Sequence, residues 1–268
     1  MKDLDDHKKI AVLIDADNAQ YSKVKAILDE ISAHGHIVIK RAYGDWSSDN
    51  LKNWKKSLNE LAIQPVQQFA YTTGKNSTDA SMIIDAMDLL YSKRFDAFAL
   101  VSSDSDFTKL ASRLREDELF VFGVGERKTP ISFRNSCDDF IFTENLGGDE
   151  STQEKTAGKP KELESKKTLN DPAELIPLLT RAWEQFQDDS GWANASAAGS
   201  FLKRSMPDFD PRSYGASKFW QLLDSLKGKL DIAKKEGNQI SYRVSLPKAK
   251  AKSKPQGQTV APREEEHA

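Results

Sequence analysis

The chain has 268 residues, 38% of them apolar and 30% charged, with a formal net charge of -2. That length accommodates one sizeable domain and a smaller one. The single cysteine, Cys137, excludes an intrachain disulfide framework, and no apolar run approaches the roughly 20 residues of a membrane helix.

Strand and helix signals alternate through the first half. Ile10–Asp15 is an apolar run of strand length, and Tyr21–Ala33 carries Val24, Ile27, Leu28 and Ile31 at helical spacing, with Gly35 as a stop. Ile37–Tyr43 reads as a strand. Asp49–Leu61 reads as a helix with Leu51, Trp54, Leu58 and Leu61 on one stripe. Ile63–Ala70 reads as a strand that Pro65 assigns to a sheet edge. A strongly apolar helix over Thr78–Leu90 follows, then a buried strand over Ala97–Val101, a helix over Phe107–Arg115, and strands over Leu119–Val124 and Asp139–Phe142. Gly123-Val-Gly125 reads as a turn, since the longer dinucleotide-binding pattern is absent. Helix-length connections between successive strands predict an α/β fold, a doubly wound and mainly parallel sheet.

Residues 147–169 are almost devoid of apolar side chains and predict a flexible linker. The apolar pattern returns at Asp171-Pro172, a capped helix start whose stripe runs through Leu175, Leu179, Ala182 and Phe186. Helices over Ala195–Met206 and Tyr214–Leu226 come next, then a hairpin of Lys229–Ala233 with Ile240–Val244. Three helices and a two-stranded wing make a small winged-helix domain, and residues 248–268 predict a disordered tail. Charge follows the same division. Residues 1–150 hold 19 Lys+Arg against 25 Asp+Glu, and residues 151–268 hold 20 against 16. An acidic part joined to a basic one suits a metal site coupled to a polyanion-binding module, or chance surface variation. The charged N-terminus has no apolar core of a signal peptide, so a cytoplasmic protein without membrane association is expected.

Four aspartates carry the chemistry. Asp15 ends the first strand, Asp104 and Asp106 follow the strand over Ala97–Val101, and Asp79 opens the apolar helix. Ligands of open α/β sheets bind beyond the carboxyl ends of the strands, so these carboxylates converge on one crevice. Clustered carboxylates repel unless one is protonated or a cation intervenes, and hard oxygen donors favour Mg²⁺ or Mn²⁺. Each acid also has a plainer use: Asp15 as a helix cap, Asp104 or Asp106 as the cap of the helix at Phe107, Asp79 as a dipole partner of its own helix. Asp17 and Asn18 could support the site or make Asx turns. Asp85 lies six residues after Asp79, about 600° around the helix, and reads as a hydrogen-bonded structural acid. Trp46 could stack an unpaired base or pack in the core. The histidines and Cys137 form neither a zinc set nor a nucleophile triad.

Three ordered motifs, Leu13-Ile-Asp15-Ala-Asp17-Asn18, Lys75-Asn-Ser-Thr-Asp79 and Ser102-Ser-Asp104-Ser-Asp106-Phe107, together with Asp139-Phe-Ile-Phe142, make residues 1–146 resemble the NYN domain. That domain is the LabA-like branch of the PIN-like nuclease superfamily. Residues 170–247 resemble the OST-HTH/LOTUS domain through Gly191-Trp-Ala-Asn194, Ala198-Gly-Ser-Phe-Leu202 and the run Pro207-Asp-Phe-Asp-Pro-Arg-Ser-Tyr-Gly215. The first resemblance implies a metal-dependent ribonuclease with Asp15, Asp79, Asp104 and Asp106 as metal-binding and catalytic residues. The second implies RNA binding and, in some members, helicase binding. Lys75, in the loop before Asp79, and Lys203, Arg204, Arg212, Lys218, Lys234 and Lys235 are the candidate RNA contacts, the last two as wing-tip charges. The alternatives are a catalytically inactive RNA-binding or protein-interaction adaptor on the same fold, or a winged helix that binds duplex DNA.

Overall fold

The computed structural model describes residues 8–68, 77–147, 169–234 and 239–245. Lys75, Lys235, and nearly all of the expected linker and tail lie outside those residues.

The N-terminal domain is built on six strands: β1 (Lys9–Asp15), β2 (His36–Gly44), β3 (Gln64–Gln67), β4 (Ala97–Val101), β5 (Phe120–Gly125) and β6 (Asp139–Phe142). They lie in the order β3-β2-β1-β4-β5-β6, and all five pairings are parallel. Pro65 sits on β3, which is an edge strand, as its missing N–H requires. Chain order reverses between β1 and β4, and such switch points open a crevice at the carboxyl ends of an open sheet.

The period of two along each strand sorts side chains between the two faces. Ile10, Val12 and Ile14 of β1 pack with Ala97, Ala99 and Val101 of β4 against α1 (Val24–Ser32) and α2 (Trp54–Glu60). Ala11 and Leu13 pack with Phe98 and Leu100 against α3 (Ser77–Tyr91), α4 (Thr108–Glu116) and α5 (Ile131–Ser136). Continuing the alternation sends Asp15 and Ser102 toward the face covered by α3 and α4. Two glycines on β5 hold the sheet close to its neighbours. A Cβ at Gly123 would lie 2.5 Å from Phe140 and 2.6 Å from the Cys137 sulfur, and one at Gly125 would lie 2.6 Å from the Ser102 carbonyl. Gly123-Val-Gly125 is therefore strand, not turn, and glycine serves there for close approach.

In the C-terminal domain, α6 (Ile176–Phe186), α7 (Ala195–Ser205) and α8 (Phe219–Ser225) pack over a small antiparallel sheet. Its strands are β7 (Ala193–Asn194), β8 (Leu230–Lys234) and β9 (Ile240–Val244), in the order β7-β9-β8. Leu179, Leu202, Leu222, Leu223 and Tyr242 are fully buried in its core, and the Tyr242 hydroxyl donates to the Leu179 carbonyl at 2.8 Å. The helix expected from Tyr214 begins only at Phe219. Residues Pro211–Tyr214 form a short 3-10 turn, which Gly215 ends in the left-handed region at φ 81°.

The two domains meet along the free edge of β6. The Phe140 N–H donates to the Pro207 carbonyl at 2.8 Å, which covers part of an otherwise open strand edge. Ion pairs surround that bond: Lys203 with Asp139 at 2.5 Å, Arg134 with Asp208 at 2.5 Å, and Arg212 with Glu30 at 3.0 Å. Asn145 donates to Asp210 and to the Ser213 hydroxyl. The run Pro207–Gly215 thus supplies much of this boundary.

Candidate active site

Asp15 is fully buried at the carboxyl end of β1. Its Oδ2 accepts hydrogen bonds from the Ser102 hydroxyl at 2.7 Å and from the Asn18 amide at 2.8 Å. Its Oδ1 is buried and has no hydrogen-bond partner. Burial pushes the Asp15 carboxyl above its ordinary range, against the pull of the Asn18 and Ser102 hydrogen bonds. A buried carboxylate oxygen without a donor is costly, and it offers a lone pair to a cation.

Ser102 is the hinge of the arrangement. While its hydroxyl donates to Asp15, its oxygen accepts the Asp104 N–H at 3.1 Å. The sequence motif contains Ser102, but its role was not anticipated. The available signal is its position, one residue past a fully buried strand, on the same alternation as Asp15. Asp104 keeps extended backbone, and its side chain accepts the Asp106 N–H at 3.0 Å. It therefore also caps the 3-10 turn Ser105–Phe107 that leads into α4. Asp104 and Asp106 approach each other through this capped turn.

Asp79 lies in the first turn of α3. Thr78, beside it, donates to Asp17 at 2.9 Å and ties the start of α3 to the loop after β1. One ligand oxygen each from Asp79, Asp104 and Asp106 lie within 4.8 Å of one another. Asp15 stands outside that trio but raises the pKa of Asp79 through its charge. Burial first, then the charges of Asp15, Asp104, Asp106 and Asp17, push Asp79 up to about 6. Among the described residues, Asp15, Asp79 and Asp104 have no lysine or arginine ion-pair partner.

A second polar group supports the crevice from beside it. Asp85 of α3 accepts from the Tyr43 hydroxyl and pairs with Arg41, both on β2. It is the structural acid its helix position predicts. Arg41 is engaged by it. Trp46 packs edge-on to Trp54 at 6.1 Å and donates to the Val66 carbonyl, which places it with the core.

Models of two families match the chain in sequence: the NYN domain over residues 9–145 and the OST-HTH/LOTUS domain over residues 169–242. The chain belongs to the NYN domain family. It is 30% identical over 122 residues to an uncharacterized protein of Methanocaldococcus jannaschii (MJ0482), covering 44% of this chain and 47% of that protein. The chain thus spans about half the length of that curated relative. A protein of unknown function from Vibrio parahaemolyticus (VPA0982) superposes with a TM-score of 0.44 and 20% identity, over 53% of this chain and 95% of its own. An uncharacterized protein of Nitrosomonas europaea gives a TM-score of 0.27 and 25% identity, over 36% and 93%.

The basic residues expected to meet RNA fall into two groups in the LOTUS domain. Lys203 and Arg212 are held by the domain boundary, the first by Asp139 and the second by Glu30 and Asp210. Arg204, Lys218 and Lys234 are exposed, and the Lys234 ammonium stands 5.5 Å from the centroid of the Trp220 ring. No described helix is long and apolar enough to cross a membrane.

Proposed function

We propose that the chain is a metal-dependent ribonuclease of the cytoplasm that hydrolyses RNA phosphodiester bonds at its aspartate cluster, with RNA recruited by the LOTUS domain. The observation that carries this reading is the convergence of Asp79, Asp104 and Asp106, one carboxylate oxygen of each lying within 4.8 Å of the others. The donor set fits a hard divalent ion: the trio offers carboxylate oxygens alone, and Asp15 adds a buried oxygen with no donor. Asp15, Asp79, Asp104 and Asp106 would hold one or two Mg²⁺ or Mn²⁺ ions. Bound there, the cation supplies water activation and neutralises charge at the scissile phosphate.

The chain's own residues do the positioning. Asn18 and Ser102 both donate to Oδ2 of Asp15, which fixes the carboxylate and leaves Oδ1 free of donors. Ser102 sets the Asp104 backbone through the same hydroxyl. Asp17, held by Thr78, fixes the register of Asp79 against β1.

The decisive experiment is cleavage of a labelled, unstructured RNA by wild type and Asp15→Asn with Mn²⁺, Mg²⁺ or EDTA, alongside thermal unfolding without RNA. Cleavage by wild type alone, only with metal, and a Mn²⁺-dependent rise in Tm are expected. RNA binding without cleavage, and no effect of either metal on Tm, would replace this reading with an adaptor.

A further inference from the structure

The LOTUS domain carries an open groove of about 650 Å³ between α7, α8 and the start of β9. Its volume falls in the range of ligand sites, about 300–1,000 Å³. Ser196, Ser200 and Arg204 of α7 form one wall, Phe219 and Trp220 of α8 the other, and Gln239 closes one end. Among the described residues, no acidic side chain lines it. Trp220 is 39% exposed, a large aromatic surface left in water. Gly199 faces Phe219, where an added Cβ would only touch the ring at 3.4 Å. The missing side chain keeps the groove open and is not demanded by packing.

We propose that this groove takes an unpaired nucleotide of single-stranded RNA, with the base against Trp220 and the phosphate on Arg204. The proposal rests on the RNA-recruiting role given above to the LOTUS domain. The charge of the groove's described lining is of one sign, which suits a polyanion. Lys203 reaches the groove but is already neutralised by Asp139 at 2.5 Å. Arg204 is exposed and has no ion-pair partner among the described residues, so it carries the charge available to a phosphate. A duplex buries its base faces and offers nothing to an exposed indole, whereas an unpaired base stacks on one. The Lys234 ammonium lies over the Trp220 ring, 5.5 Å from its centroid, which leaves the other face of the indole to a base and adds a second cation to the site. Ser196, Ser200 and Gln239 supply donors and acceptors without sequence preference built in.

The test is fluorescence anisotropy with a labelled, unstructured RNA, full-length protein in the Asp15→Asn background, and EDTA throughout. Cleavage then plays no part, so failure of the nuclease reading leaves this result untouched. Trp220→Ala should weaken binding about 10-fold or more, within the range of base–aromatic stacking. Gly199→Leu, which fills the groove and leaves every charge in place, should do the same. Arg204→Gln should lower the slope of log affinity against log salt by about 0.7. Wild-type affinity in both Trp220→Ala and Gly199→Leu would overturn the groove while leaving RNA recruitment elsewhere on the protein. Absence of RNA binding by the parent would overturn both, and displacement of the RNA by duplex DNA at equal concentration would overturn the unpaired-base assignment.

Discussion

Acidic side chains gather in two regions of this molecule, and the two are balanced in opposite ways. Along the domain boundary, Asp139 has Lys203, Asp208 has Arg134, and Glu30 and Asp210 share Arg212. At the carboxyl ends of β1 and β4, Asp15, Asp79 and Asp104 have hydroxyls, an amide and backbone N–H groups nearby but no described cation. The first region is electrostatically complete within the chain. In the second, those three acids have no such partner among the described residues, and burial first, then the charges of Asp15, Asp104, Asp106 and Asp17, push Asp79 up to about 6. Neighbouring carboxylates become a structural fastening or a reactive centre according to whether the fold brings lysine and arginine to them.

The largest expected effect separates the regions by function. Asp79→Asn should reduce RNA cleavage about 100-fold or more, ~3 kcal/mol of transition-state stabilisation. It should also raise the Tm of the metal-free protein, since it removes a charge from a repelling cluster. Loss of cleavage together with a lower metal-free Tm would mean that Asp79 serves the fold, and the contrast between the regions would collapse.

The boundary should respond the other way. Asp139→Ala strands Lys203 beside a half-buried site, where the two side chains are 10% and 45% exposed. A loss of about 1–2 kcal/mol is expected, smaller than for a fully buried pair because Lys203 is partly solvated. Thermal unfolding at low and high salt checks it: the difference from wild type should shrink as salt is added. An unchanged Tm at low salt would show that the Lys203–Asp139 pair adds nothing to the hold on the β6 edge.

Sequence reveals the two regions unequally. The apolar runs ending at Asp15 and preceding Ser102 mark buried parallel strands, so three of the four acids could be placed at strand ends from local pattern. Pro65 likewise marked the sheet edge. α5 was not legible: Ile131–Ser136 is too short to show a helical period, and only Phe133 and Ser136 are buried. β7, two residues long, left no pattern either. The boundary was invisible for a different reason. Lys203 and Arg212 find partners 64 and 182 residues away, and nothing local distinguishes a lysine destined for an aspartate from one destined for a phosphate. Both were therefore expected to meet RNA. Asp104 carried two readings from sequence, cap and ligand, and the structure has it capping while pointing an oxygen into the trio.

The smallest expected effect tests the electrostatic account directly. Asp79 ordinarily titrates near 3.8 and is pushed up to about 6 in the fold, and Asp15 is shifted in the same direction. Between those values the folded protein binds more protons than the unfolded chain, so the stability of the metal-free protein must fall as pH rises through that window. Asp79 is only half-buried, and solvent screening cuts the effect to about 1 kcal/mol, a few degrees in Tm. A divalent cation should cancel the fall by replacing protons in the cluster, so Mn²⁺ should raise Tm at about pH 7 and do little near pH 4. Asp79→Asn should flatten both the pH profile and the metal response. A metal response that survives Asp79→Asn unchanged would place the cation elsewhere and detach the strained carboxyl from the chemistry.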